Sequence, residues 1–261
     1  MLKKLSMAYK DLLSERTRGF KSSPRRFFYF KMESKSIELG HNNSKISLSL
    51  LLRTVGNDHI VCIHGLKSNK GYFREMLELS FFRKYSAVSF DLVGFGKSRS
   101  ENFSYDLKEQ AEVIEEAINK LGITNIHLIG HSMGGMIGIL LLERLGSKIK
   151  SFVNMEGNLV LSDCGMSREI IKLPRKESPE NDAVYYSSKS IVKWAESEKL
   201  LDIFLKAKQK KLYLYGDRCK EKIKSVKGKI EFAEISNSGH FMLRDNPEET
   251  YKKIEIFLRN I

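Results

Sequence analysis

Residues 125–145 read NIHLIGHSMGGMIGILLLERL, and this stretch decides the fold. Its first six residues have the apolar character of a buried strand, and residues 133–145 have that of a buried helix. Between the two, residues 130–134 fit the pattern G-x-S-x-G. A serine at a sharp strand-to-helix turn needs glycines two positions away on either side, because larger side chains would clash there. The pattern predicts a nucleophile, Ser132, whose hydroxyl projects beside a helix N-terminus that stabilises developing negative charge.

Strands and helices alternate on both sides of this turn. Buried strands are predicted at residues 59–64, 86–91, 125–130 and 151–156. The helices between them are predicted at 71–85, 105–121 and 133–145. Such alternation is typical of an α/β protein with a mostly parallel, doubly wound sheet that carries helices on both faces. In such sheets the functional site lies at the carboxyl ends of the strands.

The alternation pauses between residues 157 and 208, a range without a clear strand pattern. Helical spacing recurs there near residues 166–173 and 188–208, so we expect a small helical lid. Two further strands and a closing helix are then predicted, at 211–216, 229–235 and 247–259. We expect an N-terminal extension at 1–35, a core formed by 36–156 and 209–261, and the lid at 157–208 between the two pieces of the core.

Four landmarks, in this order, make the chain resemble the α/β-hydrolase superfamily from about residue 45 to residue 261. They are His64-Gly65 after an early strand, the D-x-x-G-x-G-x-S turn at 91–98, the glycine-flanked serine at 130–134 and Ser238-Gly239-His240-Phe241 near the end. The resemblance implies an α/β-hydrolase fold and a serine, acid and histidine in that chain order.

Residue roles follow from the resemblance. Of the six histidines, His240 alone comes after Ser132, so it is the expected base. The expected oxyanion hole consists of the backbone N–H groups of Leu66 and Met133. His64 is expected to shape the oxyanion loop, and His131, inside the turn, to point away from the chemistry.

The acid is less clearly marked, because the superfamily's most frequent position holds Cys219 in this chain. Asp217 lies two residues before that position. The second position used in the superfamily follows the strand at 151–156 and holds Glu156, a carboxylate that is costly to bury without a partner. We therefore expect Glu156 rather than Asp217 to complete a Ser132–His240–acid triad.

These residues predict a carboxylesterase-like serine hydrolase that cleaves a small ester-like substrate through an acyl-enzyme, with no metal or cofactor. Thioesterase, carbon–carbon hydrolase and aminopeptidase activities remain alternatives within the same fold. A member that only binds a ligand remains open as well, because the usual acid position is lost. A basic protein that binds an anionic surface is the alternative from a different class.

The composition agrees with one cytoplasmic domain. The 261 residues carry a formal net charge of +13, but the excess is spread along the chain and no nucleic-acid-binding motif accompanies it, so no nucleic acid partner is expected. Three cysteines without C-x-x-C spacing indicate a reducing compartment. No apolar run is long enough to predict a transmembrane segment. The first 31 residues hold nine basic residues and two acids, which predicts a poorly ordered extension, with weak contact to an anionic membrane surface or a transit peptide as alternatives.

Overall fold

The computed structural model describes residues 31–223 and 230–261, except for the side chains of 221–223. These residues form one nine-stranded sheet and eight α-helices. The strands are β1 (Glu33–His41), β2 (Ser44–Arg53), β3 (Asp58–Ile63), β4 (Ser86–Phe90), β5 (Arg99–Ser100), β6 (Asn125–His131), β7 (Ile149–Met155), β8 (Lys210–Gly216) and β9 (Phe232–Ile235). The helices are α1 (Arg74–Glu78), α2 (Leu107–Lys120), α3 (Met133–Leu145), α4 (Gly165–Ile170), α5 (Asp182–Glu196), α6 (Lys199–Lys206), α7 (Met242–Asp245) and α8 (Pro247–Arg259).

The sheet has the strand order β1-β2-β4-β3-β6-β7-β8-β9, and β5 pairs with β2. The pairs that involve β2 are antiparallel, whereas every pair from β4 through β3, β6, β7 and β8 to β9 is parallel. The predicted α/β architecture, with a mostly parallel and doubly wound sheet, is confirmed. Because β3, β6, β7 and β8 run side by side in one direction, the turns that follow them meet at one edge of the sheet.

Two hydrophobic layers cover the two faces of the sheet. Val61 and Ile63 of β3 belong to the layer formed with α2, α3, α5 and α6, whereas Ile60 and Cys62 belong to the layer formed with α1 and α8. This division follows from the alternation of side chains along a strand. The central strands are buried on both faces, which explains why their sequences are almost wholly apolar.

The hairpin of β1 and β2 is absent from the sequence prediction, which placed no strand before residue 59. Its turn is formed by Asn42 and Asn43, both with positive φ angles of 44° and 61°. Asparagine tolerates this conformation, and two such residues make the tight turn whose twist matches antiparallel strands. In β2, Ile46, Leu48 and Leu50 alternate with polar residues and are fully buried.

The helical predictions hold only in part. The stretch predicted as helix at 71–85 contains the short α1 between two 3-10 turns. The stretch predicted near 188–208 is two helices, α5 and α6, since Glu198 between them has a φ of 52°. The closing helix α8 begins at Pro247 and ends at Arg259, as predicted.

The predicted N-terminal extension lies mostly outside the described residues, which begin at 31, and so does its predicted contact with an anionic surface. Among the described residues of the range 1–35, strand β1 begins at Glu33, which pairs with Leu52. In the part of the chain that the structure describes, no helix is long and apolar enough to cross a membrane.

Candidate active site

Ser132 lies between the end of β6 and the start of α3 with φ 54° and ψ −120°, a backbone conformation that residues other than glycine rarely adopt. Close packing holds the turn in place. A Cβ atom at Gly134 would come 2.1 Å from the carbonyl oxygen of Ile63, and one at Gly130 would come 2.4 Å from the carbonyl oxygen of Gly134. The sequence argument for both glycines therefore has a direct steric basis.

The two candidate oxyanion donors flank this serine. Met133 is the first residue of α3, and an α-helix leaves the first N–H groups without an intrahelical acceptor. On the other side, a Cβ atom at Gly65 would lie 3.0 Å from the Cβ atom of Ser132, so the backbone that leads to Leu66 passes directly over the serine. Leu66 and Ser132 line the same cavity.

Glu156 and His240 are paired through a hydrogen bond, with 2.8 Å between Glu156 Oε2 and His240 Nδ1. Glu156 follows the end of β7 and is buried, with 5% of its surface exposed. Its other oxygen accepts the Gly216 N–H at 2.9 Å. Burial alone raises the pKa of Glu156, but the hydrogen bonds from the His240 ring and the Gly216 N–H outweigh burial, so this pKa lies below its ordinary value. The carboxylate is therefore ionised at neutral pH and faces the imidazole.

Asp217, the alternative acid, does not contact the His240 ring. Its two oxygens accept the backbone N–H groups of Asn237 and Ser238, at 2.8 Å and 3.0 Å. These hydrogen bonds, that from Asn237 first, lower the pKa of Asp217. Cys219, at the position where an aspartate was expected, is buried, and its side chain hydrogen-bonds the Glu156 carboxylate.

His131 contradicts the expectation that it points away from the chemistry. Its Nε2 atom lies 2.8 Å from the carbonyl oxygen of His240, and the two rings are 4.9 Å apart between centroids. A carbonyl only accepts hydrogen bonds, so Nε2 carries the proton and donates. Burial, together with the nearby His240, lowers the pKa of His131 to about 3, which keeps the ring neutral. His131 therefore connects the serine turn to the loop that carries His240.

His64 is fully buried beneath the same loop. Its Nδ1 atom donates to the carbonyl oxygen of Gly65 at 2.7 Å, and its Nε2 atom accepts the Leu92 N–H at 3.1 Å. Burial lowers the pKa of His64 to about 4, so it is neutral and cannot compete for protons near pH 7. These contacts fix the backbone just before Leu66.

A cavity of about 190 Å³ opens above Ser132 and reaches His240. Its lining combines residues from the turns at the edge of the sheet with residues from the insertion that follows β7. They are Leu66, Ser132, Asn158, Ser162, Asp163, Cys164, Gly165, Met166, Ser167, Ile191, His240 and Phe241. Met166 and Phe241 are also among the large apolar side chains exposed to solvent, at 49% and 41%. The nucleophile candidate therefore lies at the bottom of a small pocket with an apolar rim.

A sequence profile of the alpha/beta hydrolase fold matches residues 58–210, which is more than half of the chain. The chain belongs to the alpha/beta hydrolase fold family. The matched range of this alpha/beta hydrolase contains Leu66, Ser132 and Glu156. His240 lies beyond it, so the pairing of Glu156 with His240 is known from the structure rather than from the match.

Relatives of this alpha/beta hydrolase match over short ranges. Probable lysophospholipase BODYGUARD 2 of Arabidopsis thaliana is 33% identical over 100 residues, which cover 36% of this chain and 21% of that protein. Uncharacterized hydrolase YugF of Bacillus subtilis is 34% identical over 85 residues, which cover 32% and 31% of the two chains. The matches thus span about a fifth to a third of these relatives. A thermophilic esterase from Thermogutta terrifontis shares the fold, with a TM-score of 0.69, 15% identity and coverage of 87% of this chain and 98% of that chain.

Two site features of this alpha/beta hydrolase were missed from the sequence. The contact of His131 with the His240 carbonyl had no signal in the sequence, because it depends on how the turns meet at the edge of the sheet. The hydrogen bonds that Asp217 accepts from the Asn237 and Ser238 N–H groups had no local signal either, because these residues lie twenty or more positions further along the chain. Across residues 31–223 and 230–261, no group of three or more His, Cys, Asp or Glu side chains is placed to hold a metal ion.

Proposed function

We propose that this alpha/beta hydrolase is a serine hydrolase that cleaves esters or similar acyl bonds through an acyl-enzyme. The observation that carries the proposal is the 2.8 Å pairing of His240 Nδ1 with the buried Glu156 carboxylate at the pocket whose floor holds Ser132. Because Glu156 is ionised and accepts from Nδ1, it fixes the ring tautomer that leaves Nε2 free to take a proton. The names of the curated relatives, a lysophospholipase and a hydrolase, agree with this class of reaction.

In the first step, Ser132 Oγ attacks the carbonyl carbon while its proton passes to His240 Nε2. The N–H groups of Leu66 and Met133 stabilise the negative charge that forms on the carbonyl oxygen. The positive ring, stabilised by Glu156, then gives the proton to the leaving alcohol, and the acyl group stays on Ser132. In the second step, His240 takes a proton from water, which attacks the acyl group and releases the acid; the proton returns to Ser132 Oγ.

The pocket favours short acyl groups. At about 190 Å³ the cavity is smaller than the roughly 300–1,000 Å³ of typical ligand pockets. We therefore expect an acyl chain of two to four carbons to fit better than the long chain of a membrane lipid. The apolar rim at Met166 and Phe241 suits the hydrocarbon part of such an ester. We also propose residues 157–208 as the lid, since most of the lining residues come from this range.

The proposal is tested with p-nitrophenyl esters of increasing acyl length, together with a thioester and an amino-acid p-nitroanilide. We expect turnover of the acetate and butyrate to exceed that of the decanoate by at least about tenfold in kcat/KM. Ser132→Ala should abolish turnover. Ser162→Ala, which changes another serine of the same pocket, should keep it.

Turnover of the butyrate by Ser132→Ala at the wild-type rate would overturn the serine mechanism. A preference for the decanoate would overturn the substrate assignment alone. Activity confined to the thioester or to the p-nitroanilide would replace the esterase with a thioesterase or an aminopeptidase, two of the alternatives left open by the sequence.

A further inference from the structure

In the loop that carries His240, the backbone N–H groups that precede the histidine are hydrogen-bonded to carboxylates. The loop spans residues 236–241 and connects β9 to α7. Four consecutive backbone N–H groups, those of residues 236–239, each donate to a carboxylate oxygen. The bonds are Ser236 to Glu249 at 2.9 Å, Asn237 to Asp217 at 2.8 Å, Ser238 to Asp217 at 3.0 Å and Gly239 to Asp245 at 2.8 Å. Hydrogen bonds to an ionised acceptor are about twice as strong as neutral ones, so this loop is held firmly.

Asp217 differs from the other two acids because both of its oxygens bind neighbouring N–H groups. Its Oδ2 atom accepts from Asn237 and its Oδ1 atom from Ser238, two residues before His240. A carboxylate that accepts two adjacent amides fixes the orientation of the peptide plane between them as well as its position. The orientation of this peptide plane in turn restricts the orientation of the residues that follow it, including His240.

The turn that contains Asp217 also contacts Glu156, the hydrogen-bond partner of the His240 ring. Gly216, the last residue of β8, donates its N–H to Glu156, while a Cβ atom at Gly216 would lie 2.4 Å from the carbonyl oxygen of Ser238. The turn after β8 and the histidine loop are thus pressed together backbone against backbone. The N–H of Arg218 adds a bond of 3.1 Å to the Ser238 carbonyl. One turn consequently sets the positions of both Glu156 and the loop.

We propose that Asp217 is a positioning residue for His240: its two carboxylate oxygens hold the Asn237 and Ser238 N–H groups, so that the imidazole lies between Glu156 and Ser132. This rests on the proposed function, in which His240 is the base. The role differs from that of a triad acid, because Glu156 already occupies the Nδ1 side of the ring and both Asp217 oxygens are bound to the backbone. The hydrogen bonds that lower the pKa of Asp217 keep it ionised, as this role requires.

The test is Asp217→Asn, which keeps the shape of the side chain but leaves one oxygen to accept and turns an NH₂ group toward the second amide. Asp202→Asn is the matched control, since Asp202 is an exposed residue of α6 whose carboxylate pairs with Lys206 Nζ. We expect Asp217→Asn to lower kcat on p-nitrophenyl butyrate roughly 10- to 100-fold with KM within about twofold. Hydrogen exchange of the peptide spanning 236–240 should become at least about tenfold faster. Asp202→Asn should change neither quantity.

Both effects are required. Unchanged exchange at 236–240 in Asp217→Asn, or an unchanged kcat, overturns the positioning role. Loss of turnover in Asp217→Asn together with full activity in Glu156→Gln also overturns it, because Asp217 would then be the acid itself. Asp217→Ser, which keeps a single acceptor, serves as a second variant, and loss of the folded state in both would assign Asp217 to stability instead. Failure of the proposed function is distinguishable, since it appears as turnover by Ser132→Ala, whereas the exchange measurement does not depend on activity.

Discussion

Replacing Glu156 with glutamine removes the negative charge beside His240 while it keeps the size of the side chain. In the proposed mechanism His240 becomes positively charged when it takes the serine proton. At 2.8 Å and an effective dielectric constant of about 20, the attraction between that charge and the Glu156 carboxylate amounts to about 6 kcal/mol. At 1.36 kcal/mol for each factor of ten in rate, this corresponds to roughly 10⁴-fold in kcat.

The His240 side chain is 23% exposed, so solvent screens part of this attraction and we expect a decrease of about 10³-fold in kcat for Glu156→Gln. The measurement is steady-state hydrolysis of p-nitrophenyl butyrate, with circular dichroism to confirm that the variant is folded. Glu234→Gln is the control, because the Glu234 carboxylate contacts Tyr215 and Lys220 rather than His240. A folded Glu156→Gln variant with a kcat within tenfold of the wild type would refute the reasoning.

Three further results are expected. The folded-state pKa of Glu156 lies below its ordinary 4.5, so its contribution to stability is present above about pH 4.5 and is lost as pH falls through the lowered pKa. The difference in unfolding free energy between wild type and Glu156→Gln, measured by urea titration, should therefore shrink from about pH 6 to about pH 3. A constant difference would contradict this. His131→Phe keeps a ring but removes the donor to the His240 carbonyl, so kcat should fall about tenfold with an intact fold, and an unchanged kcat would remove His131 from the account. Gly134→Ala places a methyl group 2.1 Å from a backbone oxygen and should cost about 1–3 kcal/mol in thermal unfolding, whereas Gly40→Ala, with nothing within 4 Å, should stay within about 0.5 kcal/mol; equal effects would show that the turn is not closely packed.

The fold was largely predictable because its central strands are buried on both faces. Such strands are continuous apolar runs, as at residues 125–130, and they are easily separated from the helices between them. The β1–β2 hairpin was missed although Ile46 and Leu48 alternate with polar residues, since β1 is the edge strand of the sheet and mixes charged and apolar positions. The break at Glu198 was missed because a single residue with positive φ leaves no periodic signal.

In the candidate site, the geometry was predictable where one short segment determines it. Ser132 and its glycines form a local turn whose sterics can be read from five residues. The choice between Glu156 and Asp217 depended instead on three turns that meet in space. The sequence favoured Glu156 only because a carboxylate at that position is costly to bury without a partner. The contacts of His131 and Asp217 with the His240 loop link residues that are twenty or more positions apart in the sequence. No local pattern encodes such contacts.

The central claim is that Ser132 is the nucleophile of an acyl-transfer site, and covalent labelling tests it most directly. The protein is incubated with a fluorophosphonate, and the adduct is located by intact mass and peptide mapping. The account predicts one adduct per chain, on Ser132, and none on Ser132→Ala, while Ser162→Ala is labelled as the wild type is. An adduct on Ser132→Ala equal to that on the wild type, or an adduct on another residue, would contradict it.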